Sequence, residues 1–183
     1  TSWQRYPTKT MGFGVIYGLT PHGLFNQMSQ EGLEDWDERA CEKFIKEYYA
    51  LRPELGAWQD QTRAFAGKHG YVTDMFGRLR YIPEMLCPVK RYRGAGERQA
   101  INMPIQSTAQ GILKAAMIRM CQEETSFPWF WLLQIHDELM FEVEAPHAPQ
   151  FVQWATDIME SAVKLSVPIK VEAKMGTNWG EMA

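Results

Sequence analysis

Trp131-Leu132-Leu133-Gln134-Ile135-His136-Asp137-Glu138-Leu139-Met140-Phe141-Glu142-Val143 contains two apolar runs separated by three polar residues. The pattern predicts two strands joined in a hairpin, with His136, Asp137 and Glu138 at its tip. An acidic residue between two apolar strands lies at the edge of a sheet rather than in a core. There the Asp137 carboxylate can offer a hard oxygen to Mg²⁺, the ion that bridges phosphate groups in phosphoryl-transfer sites. A turn aspartate also has a simpler use, satisfying the turn's own backbone. Asp137 therefore acquires meaning only from what surrounds it.

Working outward, Ile105, Ala109, Ile112, Ala116, Met117 and Met120 trace a helix face after Pro104. On the other side, Phe151, Val152, Ala155, Ile158, Met159, Ala162 and Val163 share a helical face, and Ile169, Val171 and Ala173 alternate as in a strand. Further upstream, Tyr71–Phe76 and Leu79–Ile82 predict two strands around Gly77-Arg78, the second stopped by Pro83. Gly32–Arg52 reads as an amphipathic helix with its acids early, ended by Pro53. Leu55–His69 reads as another helix, closed by Gly70. Helices first, then strands interleaved with helices, predict an α+β fold.

The segment Trp3–Leu24 carries Arg5, Lys9, Phe13 and Tyr17 at four-residue intervals, a slowly drifting stripe on one helical face. Arg5 and Lys9 can grip a triphosphate, Arg as a fork and Lys as a point charge. Phe13, one turn on, can stack on a base or sugar. Solvation explains the cations alone and core packing the aromatics alone, but neither explains the abrupt change along one stripe. Gly12 and Gly14 weaken this helix by roughly 1 kcal/mol each relative to Ala and invite close approach by another group.

The chain of 183 residues is 45% hydrophobic and 22% charged, enough for one globular domain or two small subdomains sharing a core. Its formal charge of -3 excludes a generally basic nucleic-acid binder, so any such contact is local. Arg78, Arg80, Lys90, Arg91, Arg93 and Arg98 supply that locality, against only Glu84 and Glu97 in the same stretch. Cys41, Cys87 and Cys121 are odd in number and unpaired in spacing, which predicts a reducing, intracellular compartment. Apolar runs fall short of the ~20 residues of a membrane-spanning helix, and no stretch reads as a secretory n-region or h-region. Thr1 is not an initiator methionine, so further sequence is expected upstream.

Arg5-x3-Lys9-x3-Phe13-x3-Tyr17-Gly18 resembles the nucleotide-binding motif on the fingers helix of family A, or polymerase I type, DNA polymerases. Gln134-Ile135-His136-Asp137-Glu138-Leu139 resembles that family's third palm motif. Between them Phe76-Gly77-Arg78-x-Arg80-Tyr81 and Glu97-Arg98-x3-Asn102-Met103-Pro104-x-Gln106-x-Thr108-Ala109 match in order, and Val167-Pro168 through Asn178-Trp179 resembles the C-terminal strand and tail. The resemblance covers nearly the whole chain. It implies a helical fingers portion over residues 1–70 and, over 71–183, a palm portion with an antiparallel sheet, packed helices and the catalytic hairpin.

The resemblance implies that the complete protein adds deoxynucleotides to a primer 3′-hydroxyl by two-metal phosphoryl transfer, with dNTP and primer-template DNA as partners. Arg5 and Lys9 would bind the incoming triphosphate, Lys9 also serving catalysis. Phe13 would stack on the nucleotide and disfavour a dideoxy sugar. Tyr17 would occupy the template-base site until the fingers close, with Gly18 permitting the turn. Asp137 would bind Mg²⁺, Glu138 support the site and His136 lie by the primer end. Arg78, Arg80, Arg98, Asn102 and Gln106 would contact DNA. Because N3 and O2 acceptors occur on every base pair, minor-groove donors such as Arg98 and Gln106 can check pair shape without reading sequence. A bacterium or phage-infected host is the implied setting.

Two departures stand out: Pro7 between Arg5 and Lys9, which starts or kinks the helix there, and Gly12 where the family has asparagine. The family's first palm motif, with the second metal-binding aspartate, precedes the fingers helix and is not in this sequence. An upstream portion carrying it and the thumb is therefore an expected partner, and the isolated chain is expected to be inactive. A split or intein-derived polymerase, with Thr1-Ser2 after a splice junction, would account for this, and so would an arbitrary truncation. Two rivals are a single-subunit RNA polymerase, whose motif usually reads His-Asp-Ser, and a non-catalytic DNA-binding remnant.

Overall fold

The computed structural model describes residues 11–33 and 36–182. The fold is α+β, mostly helical with two small antiparallel sheets. It divides into two compact units between Ile105 and Gln106.

In the first unit residues 11–16 form helix α1, followed by α2 (Pro21–Gln30), α3 (Glu38–Ala50) and α4 (Pro53–His69). Thr20 caps α2, accepting from the Gly23 N–H at 3.2 Å, and Asp37 caps α3, accepting from the Ala40 N–H at 2.7 Å. The predicted helix from Gly32 thus begins at Glu38, because the chain first turns through Gly32 and packs Trp36 against the α2 and α3 core. Pro53 serves as the first residue of α4, where its missing N–H costs nothing. Gly70 ends α4 as expected.

Strands β1 (Tyr71–Thr73) and β2 (Leu79–Tyr81) pair antiparallel, Val72 opposite Arg80. Asp74 makes the connecting turn, its Oδ1 accepting from the N–H groups of Phe76 and Arg78, each at 2.9 Å. A 3-10 turn over Pro83–Leu86 follows. Ala66, Val72, Ile82, Met85, Ala100 and Met103 form one core of this unit, and Met11, Leu24, Met28 and Cys41 another.

Helix α5 (Lys90–Gln122) begins well before Pro104, the start that apolar periodicity marks in the sequence. A proline inside a helix forfeits one backbone donor and crowds the preceding turn. The apolar side chains of Ala100, Ile101 and Met103, buried on the N-terminal side of Pro104, hold the helix through it.

The second unit packs the rest of α5 and α6 (Ala148–Ser161) with the hairpin of β3 (Trp129–Ile135) and β4 (Glu138–Val143). Its core joins Ala116, Met120, Phe127, Phe151, Ala155 and Ile158, with Trp129, Trp131, Phe141 and Trp154 packed against it. The predicted strand at Ile169–Ala173 forms no ladder. Ile169 and Val171 are half-buried between exposed neighbours, as a strand pattern requires, but the Val171 N–H donates to Glu160 Oε1 at 3.1 Å instead of to a neighbouring strand. Among the described residues no helix is long and apolar enough to cross a membrane.

Candidate active site

The hairpin pairs Ile135 with Glu138, leaving His136 and Asp137 as a two-residue loop. Tight loops of this kind need positive φ, usually from glycine. Here His136 supplies it, with φ of 51°, alone among the described non-glycine residues. A left-handed non-glycine residue costs about 1–3 kcal/mol and persists only where its surroundings enforce it. Gln134 helps to enforce it, its Nε2 donating to the His136 carbonyl at 3.0 Å. A register shift between Trp131 and Leu133 leaves Leu132 unpaired, a bulge that bends β3 before the tip.

His136, Asp137 and Glu138 are exposed. Asp74 and Asp137 are both turn aspartates, yet their side chains do opposite things. Asp74 is buried and bonded to its own turn, whereas no hydrogen bond or ion pair among the described residues engages the Asp137 carboxylate. Local backbone satisfaction therefore does not explain Asp137. Asp137 and Glu138 are adjacent hard-oxygen donors of the kind Mg²⁺ accepts beside waters and phosphates. Among the described residues no group of three or more His, Cys, Asp and Glu side chains gathers as a complete metal cage.

In the first unit, Arg5 and Lys9 lie outside the described residues. Phe13 and Tyr17 stack on α1 and its C-terminal cap, ring centroids 6.5 Å apart and planes 12° from parallel. Phe13 is 49% exposed. The helix ends in a Schellman turn: the Gly18 N–H donates to Val15 O at 3.0 Å and the Leu19 N–H to Gly14 O at 2.8 Å. Gly18 has φ of 76°, and a Cβ there would stand 2.5 Å from Ile101 Cδ1. The close approach anticipated at Gly14 is made by Leu19, which folds back over it.

Sequence reasoning missed the residue beneath this turn. Gln59 on α4 is 1% exposed, and its Nε2 donates to Ile16 O at 2.9 Å and Val15 O at 3.3 Å. Its Oε1 accepts from the Tyr49 hydroxyl at 2.7 Å and Arg63 Nη2 at 3.2 Å. Pro53–His69 holds two glutamines, Gln59 and Gln61, and nothing in the sequence signals that Gln59 is the one that turns inward.

Arg78, Arg80, Lys90, Arg91, Arg93 and Arg98 are all exposed. Arg80 Nη2 donates to Gln99 Oε1 at 3.0 Å, a neutral partner that leaves its charge uncompensated. The Arg78 guanidinium lies 5.9 Å from the Phe76 ring centroid. Arg98, Asn102 and Gln106 fall on α5 at four-residue spacing. Arg98 and Gln106 are exposed, while Asn102 is half-buried, its buried Oδ1 without a hydrogen-bond partner among the described residues.

Comparison with known proteins covers nearly the whole chain. DNA polymerase I of Thermus thermophilus, described as thermostable, is 39% identical over 175 residues, covering 96% of this chain and 20% of that protein. DNA polymerase I of Deinococcus radiodurans is 38% identical over 176 residues, covering 96% of this chain and 18% of its own length. The chain thus spans about a fifth of the length of these relatives. The polymerase domain of Pol1 from M. smegmatis, solved in complex with DNA primer-template and dNTP, superposes with a TM-score of 0.90 at 30% identity, covering all of this chain and 31% of that one. Residues 1–181 match the family described as DNA polymerase family A. With the match running over nearly its whole length, this chain belongs to DNA polymerase family A.

Proposed function

We propose that this chain supplies the fingers helix and C-terminal palm of a template-directed DNA polymerase, with residues 1–70 as the fingers portion and 71–183 as the palm portion. The observation that carries the reading is the Asp137 carboxylate, presented on a strained turn and unused by that turn. Strain of this kind points to a constraint beyond folding. The M. smegmatis polymerase domain, solved with primer-template and dNTP, supports the same two partners here.

Asp137 would hold Mg²⁺ and Glu138 would support it, as adjacent carboxylates. When bound, Mg²⁺ neutralises developing phosphate charge and makes the primer 3′-hydroxyl a better nucleophile. Arg5 and Lys9 would hold the triphosphate, and Lys9 would steady charge on the leaving pyrophosphate. The exposed Phe13 ring would stack on the nucleotide, with Tyr17 beside it marking the template-base position. Arg98 and Gln106 would donate to minor-groove acceptors, where geometry is tested without regard to sequence, and Asn102 would complete that set. Arg78 and Arg80 would hold the DNA backbone, while His136, fixed by its turn, would contact the primer end.

The remaining aspartate ligand and the thumb would come from an upstream polymerase portion. The test is primer extension with the chain alone, with that portion alone and with both together. Activity is expected only from the pair, and Asp137→Asn should lower it by more than about a hundredfold, the least that loss of one charge-stabilising group commonly costs. Robust extension by the chain alone, or by the pair carrying Asp137→Asn, would defeat the reading.

A further inference from the structure

Helix α1 ends with four carbonyls that have no partner further along the helix. Three are met locally, since Tyr17 N–H donates to Phe13 O at 3.0 Å, Leu19 N–H to Gly14 O and Gly18 N–H to Val15 O. The fourth, Ile16 O, is met by Gln59 Nε2 at 2.9 Å, from a side chain 43 residues away in sequence. The amide's orientation follows from its surroundings. Two carbonyls face its nitrogen, while a hydroxyl and a guanidinium face its oxygen, so the reverse orientation would oppose like groups on both sides. The Tyr49 hydroxyl has a single proton and lies 2.7 Å from Gln59 Oε1 against 3.3 Å from Val15 O, so it donates to Gln59. Arg63 in turn is held by Asp60 Oδ1 at 2.9 Å.

Gln59, Tyr49 and Arg63 are buried or half-buried, with Asp60 exposed at the edge, and they sit under Tyr17, the C-cap, and Gly18, the left-handed residue. The Tyr17 ring is stacked on Phe13. Any shift of the last turn of α1 is therefore passed to both rings.

We propose that Gln59 is a positioning residue for nucleotide selection, fixing the C-terminal pivot of α1 and through it the setting of Tyr17 and Phe13. The inference rests on α1 being the nucleotide-gripping helix. Gln59 touches no substrate. Its effect is to keep the pivot at Gly18, so that α1 moves as a body rather than fraying from its end.

Three variants separate the possibilities. Gln59→Glu keeps the side chain's shape and its acceptor toward Tyr49 and Arg63, but offers no N–H to Ile16 O and sets a negative charge against the negative end of the helix. Gln59→Met keeps reach and removes all polarity. Tyr49→Phe leaves both donations by Gln59 in place.

In the full chain, amide exchange at Gly18 and Leu19 should quicken about tenfold in Gln59→Glu and Gln59→Met, the scale of one lost neutral hydrogen bond, and less in Tyr49→Phe. In the primer-extending pair, the KM for dNTP should rise roughly five- to tenfold with kcat changed less than about twofold. Exchange unchanged in both Gln59 variants, with far-UV dichroism showing an intact fold, overturns the clasp. Faster exchange with unaltered KM overturns the positioning role. Phe13→Ala is the control for the underlying reading. If it raises KM while the Gln59 variants do not, the inference fails alone; if neither does, the nucleotide-helix reading fails with it.

Discussion

At the scale of single residues, Gly18 and Gly77 share a backbone conformation but not an environment. Both are left-handed, with φ of 76° and 77°. A Cβ on Gly77 meets open space, whereas one on Gly18 meets Ile101 Cδ1 at 2.5 Å. Ile101 is fully buried, so it cannot swing aside cheaply. Gly77→Ala should cost about 1–2 kcal/mol for the backbone alone, and Gly18→Ala about 1–3 kcal/mol more for overpacking. Denaturant unfolding of the two variants checks the difference, and equal costs would refute it. Gly77, and Asp137 between its apolar strands, were legible in the sequence because turns need particular residue types, while the turn at Gly18 came from the family resemblance. Gln59 was not, since its partners Val15, Ile16, Tyr49 and Arg63 come together only through the packing of α1, α3 and α4. The left-handed His136 was also hidden, because histidine adopts that conformation far less readily than glycine.

At the scale of elements, apolar periodicity correctly located α6 and the β3–β4 hairpin, but it misread the segment after α6. Alternation at Ile169, Val171 and Ala173 records which side chains turn inward; it does not record where the backbone donors go. The Val171 N–H goes to Glu160, and the Thr177 N–H goes to Glu181 Oε2 at 2.7 Å. Pro104 misleads in the same way, since its local cost reads as a boundary while packing on α5 overrides it. The two carboxylates make the C-terminal segment sensitive to acid. Donation from Val171 N–H, then from Lys170, holds Glu160 below the usual carboxylate range. Donation from the Thr177 N–H, then from its hydroxyl and Asn178, does the same for Glu181. A carboxylate lowered on folding contributes stability that is fully present above its unfolded pKa, roughly 4.3, and is lost as pH falls through the lower folded value. On acidification, amide resonances of Val171 and Thr177 should therefore titrate with midpoints below roughly 4.3, while those of α6 keep their folded positions. Midpoints at or above that value, or simultaneous loss of α6, would contradict this account.

For the whole molecule, charge sets how it would meet the DNA proposed as its partner. The chain carries a formal charge of -3, so at distances beyond a Debye length, about 10 Å at 0.1 M salt, it repels a polyanion weakly or not at all. On the proposed reading, attraction would begin only when the exposed basic residues between Arg78 and Arg98 come within that distance. Within this stretch the Arg93 and Glu97 side chains approach to 3.9 Å, both largely solvated, which neutralises little. Arg80 is bonded to the neutral Gln99 and keeps its full charge for phosphate. Each phosphate neutralised releases condensed counterion and adds about 0.9 to the magnitude of the slope of log K against log salt on duplex DNA. If Arg78 and Arg80 each hold one phosphate, Arg78→Ala/Arg80→Ala should flatten the slope by about 1.8. Fluorescence anisotropy with primer-template DNA over a range of salt measures it, using the intact chain. The acids of α3 supply the counter-test: Glu42 pairs with Lys46 at 2.8 Å on an exposed face outside the basic stretch. Glu42→Gln should raise affinity slightly through net charge while leaving the slope unchanged. An equal change of slope in both variants would mean that the chain meets DNA through its overall charge rather than through the basic stretch, and would remove Arg78 and Arg80 from the interface.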